Sequence, residues 1–423
     1  MKISILGVKI CDERSPWHLQ SVNIVIDRGK IAYVGSEKKQ EGVVIQGKGK
    51  WLTPGWFDLW SSFCDPGFEH KEDLESGSEA ATHGGFTGVA VLPNTSPVTE
   101  TKNNLKYIIS RNDHRITKLF PLAAVSSGTH GSEITEMIDL HENGAVAFTD
   151  GVKTLINTDL MVKALQYLQK FEGTLIHKPM DPDLSKFGDV NEGMVSISLG
   201  MKGIPAIAEE LIVKRDIDLL EYAGGKLHFS TISTTGSVDI VRKAKKGGLD
   251  VSCSIASFQP LLTENDIGDF DTNMKVDPPL RTEADNNGLI KGLNDGTISV
   301  IVSAHNPQDT ESKKLEFDLA DFGMIGLQTV APNITSLAER VKMEILLKAI
   351  TLAPRDLLDL PVPVIDVDNS AEVTLFDPEK KWIFDQKTNC SKSTNSPYYG
   401  KELKGCIEMV INGDKIWHND LYK

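Results

Sequence analysis

Eight short apolar runs divide the middle of this chain, and most of them are followed by a segment of helix length. Runs of this length between turn-forming residues are typical of buried strands. Strands that alternate with helices predict an α/β fold, and eight such units indicate a (β/α)8 TIM barrel, with a doubly wound open sheet as the alternative. Helical patterns include Ile204–Tyr222 and Ile334–Ile350. The predicted strands are Phe57–Phe63, Phe86–Leu92, Leu119–Val125, Ala145–Phe148, Thr174–His177, Lys226–Thr231, Asp250–Ile255 and Thr297–Val302.

Both chain ends have a different texture, in which apolar and polar residues alternate between frequent turn signals. Val22–Asp27 and Glu372–Asp377 are examples, and Asn412-Gly413 between two apolar runs predicts a hairpin. Two β-rich ends around a longer middle predict a small β-sandwich built from residues 1–52 and 355–423, with the barrel at 53–354.

The composition is that of an ordinary globular protein, with 40% hydrophobic and 25% charged residues. A net charge of −14, from 45 basic and 59 acidic residues, argues against a nucleic acid or an anionic membrane as partner. The five cysteines are irregularly spaced and predict no disulfide framework. With no signal-peptide pattern and no apolar run of about 18 residues, the expected setting is the cytoplasm.

The stretch Thr53–Gly67 resembles the first barrel strand of the dihydroorotases, a family of cyclic amidohydrolases. Their pattern reads Pro-Gly-x-x-Asp-x-His-x-His-x-Arg-Asp/Glu-Pro-Gly. The frame is present here as Pro54, Gly55, Asp58, Asp65, Pro66 and Gly67. The two histidines of the pattern are replaced by Trp60 and Ser62, and its arginine is replaced by Cys64. The resemblance supports the barrel and the composite terminal domain, while the changed residues are those that carry chemistry in the family.

Further matches to dihydroorotases follow at later strand ends. The resemblance implies substrate-binding positions at Asn94, Asp277, Gln308 and Cys64, and metal-centre positions at Trp60, Ser62, Asp150, His177, Thr231 and Ala304. Of those six metal-centre positions, only Asp150 and His177 keep the family's residue type. Ala304 stands where the family has the aspartate that is both metal ligand and general acid/base, and a methyl group can do neither. His228 is kept and is interpreted as a structural histidine inside the barrel.

These substitutions predict a dihydroorotase fold that has lost the zinc site and catalysis, so no catalytic residue and no cofactor is expected. We expect the Trp60 ring to fill the space of the metal, and the buried Asp150 to pair with His177 or to take up a proton. An acidic Asp277 in place of asparagine is expected to weaken the binding of an anionic substrate.

Three functions remain open at this stage. The resemblance implies a non-catalytic structural or regulatory partner of aspartate transcarbamoylase in pyrimidine synthesis, and a homo-oligomer is expected. One alternative is an active zinc-dependent cyclic amidohydrolase with a rearranged ligand set of Cys64, Asp150, His177 and His305. The other is a non-enzymatic binder of a pyrimidine intermediate.

Overall fold

The computed structural model of the chain describes residues 2–419. The strands are β1 (Lys2–Ile10), β2 (Ser21–Asp27), β3 (Lys30–Gly35), β4 (Val43–Gln46), β5 (Trp51–Pro54), β6 (Trp56–Ser61), β7 (Phe86–Val91), β8 (Lys118–Pro121), β9 (Thr174–His177), β10 (Val190–Asn191), β11 (Gly203–Ile204), β12 (Lys226–Phe229), β13 (Val251–Ala256), β14 (Val300–Val302), β15 (Glu372–Ile383), β16 (Glu402–Asn412) and β17 (Lys415–His418). The α-helices are α1 (Leu74–His83), α2 (Lys102–Ile109), α3 (Met137–Glu142), α4 (Thr158–Leu168), α5 (Pro182–Ser185), α6 (Met194–Leu199), α7 (Ile207–Ala223), α8 (Thr235–Lys246), α9 (Glu283–Asn294), α10 (Thr310–Lys313), α11 (Val330–Leu337), α12 (Met343–Ile350) and α13 (Leu352–Leu357).

Parallel strands form a closed barrel in the middle of the chain. One arc consists of β6, β7 and β8, and the other of β9, β12, β13 and β14. Phe148 joins the arcs on one side through parallel bridges to Ala123 and Leu175, and a bridge between Ser61 and His305 closes the other side. The predicted TIM barrel is therefore confirmed, with its fourth strand reduced to the bridges at Phe148.

The barrel closes around Asp58, a fully buried carboxylate on β6. It accepts hydrogen bonds from the Ser303 amide at 2.7 Å and the Ser303 hydroxyl at 2.6 Å, and also from the Ser61 hydroxyl. Burial raises the pKa of Asp58 above its ordinary value, while these donors act in the opposite direction. The carboxylate thus adds side-chain hydrogen bonds between β6 and the end of β14. Within residues 2–419, the backbones there are joined by the single bridge between Ser61 and His305.

Two apolar layers hold the barrel. Side chains inside it, such as Phe57, Leu92 and Val302, form an interior cluster. A larger cluster lies between the strands and the surrounding helices, and includes Val89, Leu165 and Val241. Several of those helices begin at a side-chain cap, which satisfies amide groups that have no partner in the first turn. Asp73 caps α1 and Thr234 caps α8.

The two chain ends form one hydrogen-bonded sheet, in the order β17-β16-β15-β5-β1-β2-β3, with β4 also paired to β1. Its strands bury an apolar cluster of their own. The predicted hairpin is present, with Gly413 and Asp414 as the turn between β16 and β17. Arg355 is buried and bonds both Glu372 of this sheet and Thr87 of the barrel. The exact domain boundaries at residues 52 and 354 stay a prediction.

One predicted helix is wrong in extent. The pattern over 334–350 predicts a single helix, but the chain forms α11 and α12 with turns between them. Lys342 is extended, with φ −59° and ψ 136°, and α12 starts afresh after it. No glycine or proline marks this break in the sequence. Within residues 2–419, none of the helices has both the length and the apolar character that crossing a bilayer requires.

Candidate functional site at the mouth of the barrel

A cavity of about 410 Å³ opens at the carboxyl ends of the barrel strands. This end of a TIM barrel carries the functional residues of enzymes with this fold. The lining includes most of the residues singled out from the sequence, namely Trp60, Ser62, Cys64, Asn94, Thr231, Asp277, Ala304, His305 and Gln308. Asp150 and His177 are not part of that lining. The cavity wall therefore contains the changed positions but not the two retained ones.

Strand β6 ends in side chains that are poorly suited to hold a cation. The Trp60 indole is 5% exposed and packs into the interior cluster of the barrel, and an indole offers no free electron pair in its plane. Cys64 is also buried, and this burial raises the pKa of its thiol to about 12. A neutral thiol is a poor ligand because metals bind the thiolate.

His177 ends β9 with both ring nitrogens occupied. Its Nε2 accepts a hydrogen bond of 2.8 Å from the Leu155 amide, which can only donate. Nδ1 must then carry the proton of the neutral ring, and it donates to Asp216 on α7 at 2.6 Å. Arg215 bonds the other carboxylate oxygen of Asp216. No free lone pair on this imidazole is left for a ligand.

Of the two outcomes predicted for Asp150, a hydrogen bond with His177 is not formed within residues 2–419, and uptake of a proton stays a prediction. Asp150 instead accepts hydrogen bonds from the Val125 amide at 3.0 Å and from the amide and hydroxyl of Ser126 at 2.9 and 2.5 Å. Burial raises the pKa of Asp150, and the bonds from Ser126 and Val125 oppose that shift. The carboxylate is held by the loop after β8, so it needs no imidazole partner.

His305 follows β14 and is also committed to structural contacts. Its Nδ1 accepts a hydrogen bond of 3.2 Å from the Gly326 amide, and its Nε2 lies 3.3 Å from a carboxylate oxygen of Glu72. Glu72 is fully buried and is bonded as well by Ser76 and Ser391. His305 is thus tied to the loop before α1 and to the C-terminal segment.

Lys178 is a cavity residue that the sequence patterns did not single out. It directly follows His177, its side chain is 6% exposed, and it forms an ion pair with Asp277, whose side chain is 33% exposed. Its ammonium group also lies 3.4 Å from the Val152 carbonyl oxygen. The negative charge of Asp277 therefore faces a lysine, and its expected effect on the binding of an anionic substrate stays a prediction. The signal in the sequence was a lysine immediately after a strand that ends at the mouth.

Asn94 is held by the backbone beyond the fourth strand position. Its amide donates to the Asp150 carbonyl at 3.0 Å and accepts from the Val152 amide at 3.0 Å. Gly151 makes this fit possible, because it has φ +63° and a Cβ atom there would lie 1.7 Å from Asn94 Oδ1. The role of Asn94 in binding a ligand stays a prediction. In the structure its side chain holds the backbone at Asp150 and Val152.

Gln308 is joined to a second lysine at the rim. Lys71 donates to the Gln308 side-chain oxygen at 2.5 Å and lies 3.3 Å from Asp321. Gln308 also donates to the Phe322 carbonyl at 2.9 Å. The cationic groups of the cavity, Lys71 and Lys178, each face a carboxylate, so the charges on the wall are balanced.

Among the described residues, several buried polar atoms of the barrel lack a hydrogen-bond partner, and two of them belong to residues singled out from the sequence. Within residues 2–419, neither the Thr231 hydroxyl at the cavity nor Nε2 of the fully buried His228 has a hydrogen-bond partner. His228 Nδ1 is 2.8 Å from the Ser252 hydroxyl, and burial lowers the pKa of His228 to about 3. This ring is neutral and lies inside the barrel, as a structural histidine would.

The donor set can be compared with the needs of a zinc ion, which takes roughly three protein ligands from histidine, cysteine and carboxylate groups in catalytic sites. Across the described residues 2–419, no group of three or more such side chains is arranged to hold a metal ion. At the cavity itself the candidates are a neutral thiol, a bonded imidazole, and the carboxylates of Asp277 and Asp321, each of which faces a lysine. The residues present do not fit a catalytic zinc.

Comparison with solved structures identifies proteins of the same architecture. The L-hydantoinase (dihydropyrimidinase) from Arthrobacter aurescens superposes with a TM-score of 0.85 at 20% identity, over 98% of this chain and 95% of that one. The dihydropyrimidinase from Brevibacillus agri gives a TM-score of 0.82 at 17% identity, with the same coverage. These likenesses show the fold alone, a TIM barrel with a β-rich terminal unit.

Sequence comparisons narrow this class to a family. Residues 49–237 match the family model described as Dihydro-orotase-like. The dihydroorotase of Acetivibrio thermocellus is 37% identical over 401 residues, which cover 93% of this chain and 94% of that protein. The dihydroorotase of Syntrophotalea carbinolica is 37% identical over 420 residues, covering 98% of each. The chain belongs to the dihydroorotase family.

Proposed function

We propose that this protein has lost the ring-opening chemistry of its family and acts as a structural or regulatory partner, with aspartate transcarbamoylase as the partner. The observation that carries the proposal is the state of the two histidines near the mouth. Nε2 of His177 and Nδ1 of His305 accept backbone hydrogen bonds, and their other nitrogens face buried carboxylates. Each imidazole is committed to holding the fold.

The residue at the family's proton-transfer position supports the same proposal. Opening or closing a cyclic amide requires a group that moves a proton between water and the ring nitrogen. Ala304 stands at the strand end where the family has an aspartate for this task. Asp277 is paired with Lys178, and Asp150 does not line the cavity. The rearranged ligand set of Cys64, Asp150, His177 and His305 is disfavoured for the same reasons.

The decisive experiment measures metal content and turnover together. The protein is produced with zinc in the medium, its zinc is quantified, and conversion of dihydroorotate and of carbamoyl-aspartate is followed. The dihydroorotase of Acetivibrio thermocellus, treated identically, serves as the positive control. We expect substoichiometric zinc and no turnover above background. Stoichiometric zinc with turnover would establish the hydrolase alternative instead.

The partner role needs its own experiment. The chain is mixed with the aspartate transcarbamoylase encoded in the same genome, and the mass of any complex is measured by light scattering after size exclusion. A complex of defined stoichiometry is expected. If the two proteins elute separately at micromolar concentration, the partnership is wrong, whatever the result on zinc.

A second candidate function, binding of a pyrimidine intermediate without turnover, is favoured by the cavity itself. The cavity persists at about 410 Å³, and the Thr231 hydroxyl at its wall lacks a partner among the described residues. Thermal unfolding in the presence of dihydroorotate or carbamoyl-aspartate tests this function. A rise in melting temperature that is lost in Thr231→Val would support it, and no rise at millimolar ligand would rule it out.

A further inference from the structure

The outer face of α7 carries large apolar side chains in solvent. Ile207, Leu211 and Tyr222 are 48%, 46% and 79% exposed. They lie at positions i, i+4 and i+15, which share one side of a helix, and they span about 22 Å along the axis. The outward face of a helix in a soluble protein is normally polar. An apolar stripe on this face indicates a surface that another molecule covers.

The inner face of α7 is already fully used. Ala208, Ile212, Val213 and Leu220 are buried, and the helix packs between α4 and α8 on the outside of the barrel. The helix therefore needs no further apolar surface for its own stability. The exposed stripe is additional to the packing of the fold, which makes an intermolecular contact its simplest use.

The middle of the stripe carries one charge of each sign. Lys214 and Asp218 are exposed, and within residues 2–419 neither forms an ion pair or a side-chain hydrogen bond. On the neighbouring α4, Asp159 and Lys163 have the same spacing but the opposite order, and they do pair at 2.7 Å. An acidic residue before a basic one is the favourable order within a helix. The order in α7 leaves both charges available to a partner.

The stripe is complementary to itself when reversed. If two copies of α7 lie antiparallel about a two-fold axis near residue 216, Lys214 of one faces Asp218 of the other, twice by symmetry. In the same arrangement position 211 is opposite position 221, so Leu211 lies next to Tyr222 of the other copy, again twice. Two-fold contacts of this kind use the same patch on both subunits. Apolar pairs then flank two ion pairs at the centre.

Further apolar surface adjoins the start of the helix. The Asp181 amide donates to the Ala208 carbonyl at 2.8 Å, which ties the segment around α5 to α7. In that segment Leu184 is 43% exposed and Phe187 is 67% exposed. A stable dimer buries about 800 Å² on each partner, more than one helix face provides. The α5 segment supplies the additional area beside the far end of the partner helix.

We infer that the outer face of α7 is a two-fold dimer interface between copies of this chain, with reciprocal Lys214–Asp218 ion pairs at its centre. We choose a second copy as the partner because two antiparallel copies of α7 place each Lys214 opposite an Asp218. This inference stands independently of the proposed loss of catalysis.

Charge exchange tests the interface directly. Lys214→Glu places a carboxylate opposite Asp218 at both symmetry-related contacts, and Asp218→Lys places two lysines together. Each single variant should weaken dimerisation by more than about tenfold, because like charges across an interface are strongly unfavourable. The double variant K214E/D218K recreates both pairs with reversed polarity, so its dimer should recover. Sedimentation velocity over a concentration series measures all four proteins.

A matched control separates this effect from net charge. Lys381→Glu makes the same change in charge on β15, where Lys381 is 63% exposed in its side chain and forms a surface ion pair with Glu402. It should dimerise like the wild type. A monomeric wild type at micromolar concentration would overturn the inference and leave the face to a different protein. Single variants that dimerise normally, or a double variant that stays monomeric, would also overturn it.

Discussion

His177 and Asp216 are joined by a hydrogen bond of 2.6 Å, and their side chains are 3% and 0% exposed. The bond runs from the barrel strand β9 to the helix α7 that packs outside it. The histidine that resembles a metal ligand in sequence thus connects two layers of the fold. Its loss should be felt as a loss of stability rather than a loss of metal.

His177→Ala should lower the free energy of unfolding by roughly 2–3 kcal/mol, because Asp216 and the Leu155 amide each lose a partner in a buried place. His177→Asn keeps a donor near the position of Nδ1 and should cost less. Urea unfolding with and without zinc measures both. A zinc-dependent gain in wild-type stability that disappears in H177A would make His177 a ligand and contradict this prediction.

The pair of Lys178 and Asp277 should respond unequally to its two single substitutions. Asp277→Asn leaves an ammonium group that is 6% exposed without its carboxylate, and should cost roughly 2–3 kcal/mol of unfolding free energy. Lys178→Met leaves Asp277 in contact with water and should cost about 1 kcal/mol. The double variant should be more stable than D277N alone. Equal single effects that add in the double variant would show that the ion pair contributes nothing.

His228 should make the fold sensitive to mild acid. Its pKa is about 3 in the folded protein and about 6.5 in the unfolded chain, so the unfolded state binds a proton first as the pH falls. Stability due to this group is intact above pH 6.5 and is lost progressively towards pH 3. Between about pH 7 and 5 the loss should be roughly 2 kcal/mol. His228→Gln should flatten this part of the stability profile, and an unchanged slope would refute the assignment.

Gly151 should tolerate alanine less well than another glycine with similar backbone angles. Gly151→Ala adds a Cβ atom 1.7 Å from Asn94 Oδ1 at φ +63°, so both strain and the displaced Asn94 side chain reduce stability. Gly200→Ala, at φ +66° with no atom within 4 Å, isolates the backbone cost of about 1 kcal/mol. The difference between the two variants, measured by thermal unfolding, reports the Asn94 contact. Equal losses would mean that Asn94 moves freely.

Much of the barrel could be predicted because each strand is specified by its own residues. The pattern at Thr174–His177 gives the strand β9 residue for residue, since four consecutive apolar or half-apolar side chains lie between clear breaks. The fourth strand is different, because Ala145–Phe148 has the composition of a strand but, within residues 2–419, forms bridges only at Phe148, beside single backbone hydrogen bonds at Val146 and Ala147. Pairing depends on neighbours that local sequence does not contain.

The partners of the site residues could not be predicted for the same reason. Asp216 is 39 positions after His177, and only the docking of α7 against β9 brings them together. Asp150 was expected beside His177 because both match one metal centre in the family, yet the adjacent loop offers it closer donors at Ser126. Lys178 was overlooked because the family pattern ends at the histidine before it. The changed residue types at the family's metal-centre positions could be seen in the sequence. The contacts that Asp150 and His177 make instead could be seen only in the structure.

The two hydrogen bonds between Asp58 and Ser303 have a consequence for engineering. Neither Asp58 nor Ser303 lines the cavity, so positions 62 and 304 can be changed without removing these hydrogen bonds. New catalytic groups can therefore be introduced at the cavity while the hydrogen bonds that close the barrel are kept.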